Sequence, residues 1–233
     1  MFFLRYQEHY ESPNSKFRGK SFEILDFMKW YSKKYGEGAF TYPSDWGGFN
    51  VSGDIIKKVW ALGISDRNLY DYEMREVYRK CFLKYPDGKF YLIGVYGKGG
   101  SLRHEIAHGF FYTIPEYKRE MTKLVRNLKP SLYKSLCSHL KKIGYASSVY
   151  VDECQAYLST GQNFLKLRGQ DKPFIKLYEQ YFGEVALDPS QEPLFDGEDG
   201  RLRTALVLAS IASHERLSTA GAALNLYQRT LYH

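Results

Sequence analysis

The stretch Ser101-Leu102-Arg103-His104-Glu105-Ile106-Ala107-His108-Gly109-Phe110-Phe111-Tyr112 constrains this chain more than any other. On a helix, His104 and His108 stand one turn apart and project from the same face. Two imidazoles so placed can hold one Zn²⁺, while Glu105 reaches a water in the open metal position. The preceding apolar run Phe90-Tyr91-Leu92-Ile93-Gly94-Val95-Tyr96 reads as a strand broken by Gly97, Gly99 and Gly100. Ser101 then suits a helix N-cap, so strand, tight turn and metal helix is the expected order. The competing reading is an amphipathic helix with two partly buried histidines bonded to backbone. The glutamate between the pair and the glycine-turned strand before it favour the metal.

The chain has 233 residues, enough to bury a core of its own. The simplest organisation is one domain over 1–233, divisible into a sheet-containing part with the metal helix (1–113) and a helical part (114–233). Aromatic residues are abundant: 21 Tyr and 15 Phe, in number suited to clefts that grip an extended ligand. The net charge of +7 favours acidic partners, but its Lys and Arg are scattered and no nucleic-acid motif accompanies them. A solvated basic face is the expectation. Cys81, Cys137 and Cys154 are widely spaced and form no C-x-x-C, which argues against a disulfide scaffold or a cysteine zinc site and for a reducing compartment. The N-terminus turns polar too soon for a signal peptide, and no apolar run is long enough to span a bilayer. The expected location is cytoplasmic or otherwise intracellular.

Along the chain, Phe2–Gln7 reads as a short strand. Apolar spacing predicts a helix over 21–35 ended by Gly36 and Gly38, and Ala39–Tyr42 suggests another strand. Ser52 suits the cap of a helix carrying Ile55, Ile56, Val59, Trp60 and Leu62. Residues 66–76 fit helix or loop. Val77–Tyr85, the turn signal Pro86-Asp87-Gly88 and Lys89–Tyr96 together predict a hairpin leading into the metal helix, whose edge could receive an extended substrate. Helices are expected over 114–128, from Pro130 to Gly144, from Ser147 or Ser148 to Gly161, and over 173–186. The acidic segment 188–200 lacks calcium-loop spacing and reads as a solvated loop. The Ala- and Leu-rich tail, 202–232, reads as two packed helices divided at Gly221.

A catalytic zinc takes three protein ligands and keeps one position for water. The short route to a third histidine is closed, because Phe111 and Ile114 stand where glycine and histidine would be needed. Glu153 is the preferred third ligand, on a later helix with Ala156 and Tyr157 on its face. Small Ala156 would allow that helix close to the metal helix. Asp152, Glu116, Glu120, His139 and His214 are the rivals. Asp152 projects about 100° from Glu153, so at most one of the two faces the metal.

His104-Glu105-x-x-His108 with a later Glu153 resembles the gluzincins, zinc peptidases with a glutamate ligand on a second helix. Glu153-x-x-Ala156 is also similar to the metallopeptidase-like domains of the ImmA/IrrE group. The likeness covers two short motifs and the strand before the first. It implies a zincin-like α+β fold, with a small, mainly antiparallel sheet in the N-terminal half and a mostly helical C-terminal half. It further implies hydrolysis of a peptide or protein substrate, with His104, His108 and Glu153 on Zn²⁺ and Glu105 as general base. Many gluzincins carry an aspartate four residues after the glutamate ligand. Here that position is Tyr157, whose hydroxyl can hold a histidine ring or a developing oxyanion but brings no full negative charge. Tyr145, Tyr150 and His214 are further oxyanion candidates. Two other readings stand beside peptidase action: a zincin-fold regulatory or interaction module with little activity, and a protease recruited to nucleic acid by its basic helices.

Overall fold

The computed structural model describes residues 4–46, 48–86, 89–95, 100–161, 167, 169–184, 204–209 and 225–226. The first half holds α1 (Leu4–Glu11), α2 (Ile24–Lys34), α3 (Tyr42–Asp45), β1 (Gly48–Ser52), α4 (Gly53–Ala61), α5 (Leu69–Lys84) and β2 (Phe90–Val95). Then follow α6 (Gly100–Thr113), α7 (Pro115–Arg126), α8 (Pro130–Ile143), a 3₁₀ turn (Ser147–Val149), α9 (Tyr150–Thr160) and α10 (Lys172–Glu184). Strands β3 (Thr204–Ala209) and β4 (Asn225–Leu226) complete the described residues. The protein is α+β, mostly helical with a small antiparallel sheet. No helix among the described residues is long and apolar enough to cross a membrane.

The sheet order is β1-β2-β3-β4, every neighbour antiparallel. Between β1 and β2, Asn50 lies opposite Ile93, Val51 opposite Leu92 and Phe49 opposite Gly94. Alternation along these strands divides the core. Phe49, Val51, Phe90 and Leu92 pack with Tyr6, Ile56, Val59, Met74, Val77 and Cys81 beneath α4 and α5. Tyr91 and Ile93 point the other way, into a cluster with Ile106, Ala107 and Phe110 of α6 and with Ala156 and Leu158 of α9. Asn50, opposite Ile93, therefore faces α6. Gly94 is required where it is: a Cβ there would lie 2.2 Å from the Phe49 ring.

Several expected elements differ. The first segment is a helix, not a strand, from Leu4 on. Leu4, Arg5, Tyr6, Gln7, Glu8, His9 and Glu11 are all buried, so no polar face is left to produce a helical pattern. Arg5 bonds Asp66 at 2.8 Å and Asp71 at 3.2 Å, and Gln7 bonds Glu11 one turn on at 2.9 Å. Ala39–Thr41 form no strand, and Tyr42 opens α3. Val77–Tyr85 is not a strand either, since α5 runs through Lys84. An Asn68/Asp71 capping box starts that helix, and Met74, Val77 and Cys81 give it a helical stripe. The expected hairpin is thus absent, and β2 pairs with β1 and β3 instead. In the tail, 204–209 and 225–226 are strands rather than helix. The segment 188–200 and Gly221 lie outside the described residues.

Other expectations match. Ser52 caps α4, its side chain accepting from Ile55 N. Left-handed Gly144 and Gly161 end α8 and α9. Two local details shift: α6 begins at Gly100, ahead of Ser101, and Ser147 and Ser148 lie in the 3₁₀ turn without capping α9.

Candidate metal centre

Helices α6 and α9 lie side by side, with Ala107 and Ala156 both fully buried in their shared core. Their closeness is marked by a hydrogen bond from Gln155 Nε2 to the Ala107 carbonyl at 3.2 Å. Side chains of ordinary length on the facing turns then meet. His104 and His108 come from α6, Glu153 from the first turn of α9.

His104 Nε2 and His108 Nε2 are 3.1 Å apart. Glu153 Oε2 is 3.7 Å from the first and Oε1 is 3.7 Å from the second. Taken one atom per residue, the three potential ligands all lie within 4.8 Å of one another, and all three residues are buried. Donors of a tetrahedral zinc, at Zn–N distances of about 2.0–2.1 Å, stand roughly 3.3 Å apart. The observed spacing fits. Glu153 Oε2 is moreover buried with no hydrogen-bond partner, an arrangement that an acceptor of this strength tolerates poorly. Two ring nitrogens and a carboxylate this close need a cation or a shared proton between them. These residues could hold a metal ion.

The rings are set by what lies behind them. His108 Nδ1 is 2.9 Å from Asp152 Oδ1, so its Nδ1 proton points at that carboxylate and Nε2 is the nitrogen a neutral ring would offer to a metal. Asp152 is itself bonded by Gln155 Nε2 at 3.0 Å, and Gln155 Oε1 accepts from Tyr117 at 3.0 Å. A polar ladder thus runs Tyr117–Gln155–Asp152–His108, buried except at Asp152. The Tyr157 ring packs on the His104 ring with centroids 4.6 Å apart, tilted by 60°.

Burial governs the charges. It pushes His104 down to about 4, with His108 adding to the effect. On His108 burial acts downward too, but Asp152, Glu153 and Glu105 outweigh it and raise the ring well above its ordinary value. Burial lifts Glu153 to about 7, Asp152 reinforcing it, against the pull of His108 and the Tyr145 hydroxyl. Glu105 is also raised by burial, opposed by both histidines and by an amide hydrogen bond from Asn50. On α1, burial and Glu153 together raise Glu11 to about 8.

The sequence-derived candidates sort as follows. His104, Glu105 and His108 share the inner face of α6, and Glu153 joins the two histidines. Asp152 does not join them and bonds His108 Nδ1 instead. Glu116 and Glu120 are exposed on α7, and His139 is half-buried on α8 away from the cluster. Tyr145 and Tyr157 border the site, while Tyr150 is influenced by Cys137 and Cys154 instead. His214 lies outside the described residues. Asn50, Gln155 and Tyr117 were not foreseen. For the two amides the visible trace is a polar side chain set among apolar neighbours, as in Phe49-Asn50-Val51 and Cys154-Gln155-Ala156; Tyr117, between Glu116 and Lys118, carries no such mark. No known protein family, curated protein or solved structure matches this chain.

Proposed function

We propose that this chain is a zinc-dependent metallopeptidase of the gluzincin kind, with a zincin-like arrangement of sheet and paired helices. The supporting observation is the buried convergence of His104 Nε2, His108 Nε2 and the Glu153 carboxylate. Two nitrogens and one carboxylate oxygen suit Zn²⁺. When bound there, zinc supplies Lewis acidity, lowering the pKa of a water toward neutrality and polarising a carbonyl. The protein supplies the proton path. Glu105 accepts the proton of the attacking water as the C–O bond forms and the carbonyl oxygen takes up charge, then hands it to the amine as the C–N bond breaks. Its buried setting raises its affinity for that proton, as a base required to work near neutral pH needs. Tyr157 and Tyr145, kept protonated by burial, are the hydroxyl donors at hand for the oxyanion. The substrate is a peptide or protein.

Metal analysis of purified protein, joined to cleavage of a diverse peptide library, tests this. Near-stoichiometric zinc with chelator-sensitive cleavage is expected in wild type. Glu105→Gln should keep the zinc and lose at least about 100-fold in rate. Zinc without cleavage would favour a regulatory zinc module. Absence of tight metal would overturn the reading.

A further inference from the structure

Asn50 stands in the middle of β1, buried, on the sheet face turned toward α6. An asparagine there is costly unless its amide is satisfied, since burying an unpaired amide opposes folding. It is satisfied from three different elements. Oδ1 accepts from the Tyr10 hydroxyl of α1 at 2.7 Å and from the Tyr91 hydroxyl of β2. Nδ2 donates to Glu105 Oε2 on α6.

The Glu105 carboxylate, which can only accept, fixes which way the amide faces, and the two phenols then satisfy Oδ1. Turned over, the amide would set Oδ1 against the Glu105 carboxylate, acceptor against acceptor. One oxygen of Glu105 is therefore tied, and Oε1 carries no hydrogen bond among the described residues. A glutamate on a helix otherwise has three rotatable bonds and several rotamers to sample. Proton transfer depends on a base held within a fraction of an ångström of its place.

We propose that Asn50, locked by Tyr10 and Tyr91, is the positioning residue for Glu105, holding the carboxylate by Oε2 so that Oε1 stays directed to the reacting water. The proposal rests on the reading of Glu105 as the base. It assigns a role to α1 and β1, neither of which supplies a metal ligand.

Asn50→Asp tests it. The substitution keeps the volume and the acceptor for both tyrosines but replaces the NH₂ donor by an oxygen facing Glu105. Crystal structures of zinc-loaded wild type and variant should show Glu105 moved to another rotamer, with zinc content unchanged. For a peptide cleaved by wild type, kcat should fall at least about 30-fold while KM stays within about twofold. General damage to the fold would instead lower zinc content and kcat together. The double variant Tyr10→Phe/Tyr91→Phe leaves Asn50 in place but removes both partners of Oδ1, and should show a smaller fall in kcat with Asn50 and Glu105 less well ordered. It carries the test alone if Asn50→Asp does not fold. Glu105 in its wild-type position with unchanged kcat, in whichever variant folds, would overturn the proposal. Wild type that neither holds zinc nor cleaves would overturn the underlying reading, and that result precedes any variant.

Discussion

Asp152 Oδ1 stands 2.9 Å from His108 Nδ1, and that contact decides which nitrogen of the ring is free for a metal. The adjacent residue, Glu153, turns its carboxylate to the other side of the helix end and meets both Nε2 atoms. Two neighbouring acids on one helix thus divide the work, because successive residues project about 100° apart.

Asp152→Ala should weaken zinc binding about 10–100-fold, because His108 loses both its tautomer preference and its orientation. Asp152 is partly exposed, so the fold should survive. Competition against a fluorescent chelator measures the change. An unchanged affinity would mean that His108 is held by other contacts.

Glu153→Gln should separate metal binding from intrinsic stability. The folded pKa of Glu153, about 7, lies above its ordinary value of 4.5. Its contribution to stability is therefore complete below about pH 4.5 and is lost as pH rises through about 7. At pH 8 the metal-free variant should melt above metal-free wild type. Excess zinc should reverse the order, since a ligand at about 1,000 times its Kd adds about 4 kcal/mol. Thermal melts with zinc and with chelator decide it.

Gln155→Leu should destabilise the protein by about 2 kcal/mol, lowering Tm by roughly 4–8 °C. The change strips a partner from Tyr117, from Asp152 and from the Ala107 carbonyl at once. Zinc affinity should fall as well, by less than for Asp152→Ala, because Asp152 remains but is less well held. Melting that matches wild type would show that water replaces the amide without loss.

Gly94→Ala should cost about 1–3 kcal/mol, read as a lower urea midpoint at unchanged slope. The added Cβ meets the Phe49 ring, whose nearest atoms would lie 2.2, 2.7 and 2.9 Å away. Phe49→Leu in the same chain should recover part of the loss, since the two sites are directly opposed in the sheet.

The strand of β2, the helix after it and helices α7 to α10 were legible because each carries a local signal: an apolar run, a proline in the first turn, a glycine at the end. Helix α1 was not. It is buried on every side, so the pattern that betrays an amphipathic helix is erased. Strand-like composition hid α5, although Asn68 and Asp71 form a capping box at its start. The partners of β2 are not legible in the sequence, because pairing over a long sequence separation leaves no local mark.

At the centre, the sequence alone determined the spacing of His104, Glu105 and His108, because four residues make one helical turn wherever the helix lies. It also narrowed the third ligand to a few acids and histidines. Only the tertiary structure shows which of them meets the two histidines. The approach of α9 to α6 over Ala107 and Ala156 brings Glu153 to both imidazoles and sends Asp152 behind one of them. Only the meeting of α1, β1 and β2 makes an anchor for Glu105 out of Asn50, Tyr10 and Tyr91. These three come from distant parts of the chain, and burial together is what gives an amide and two phenols a single arrangement in which all are satisfied.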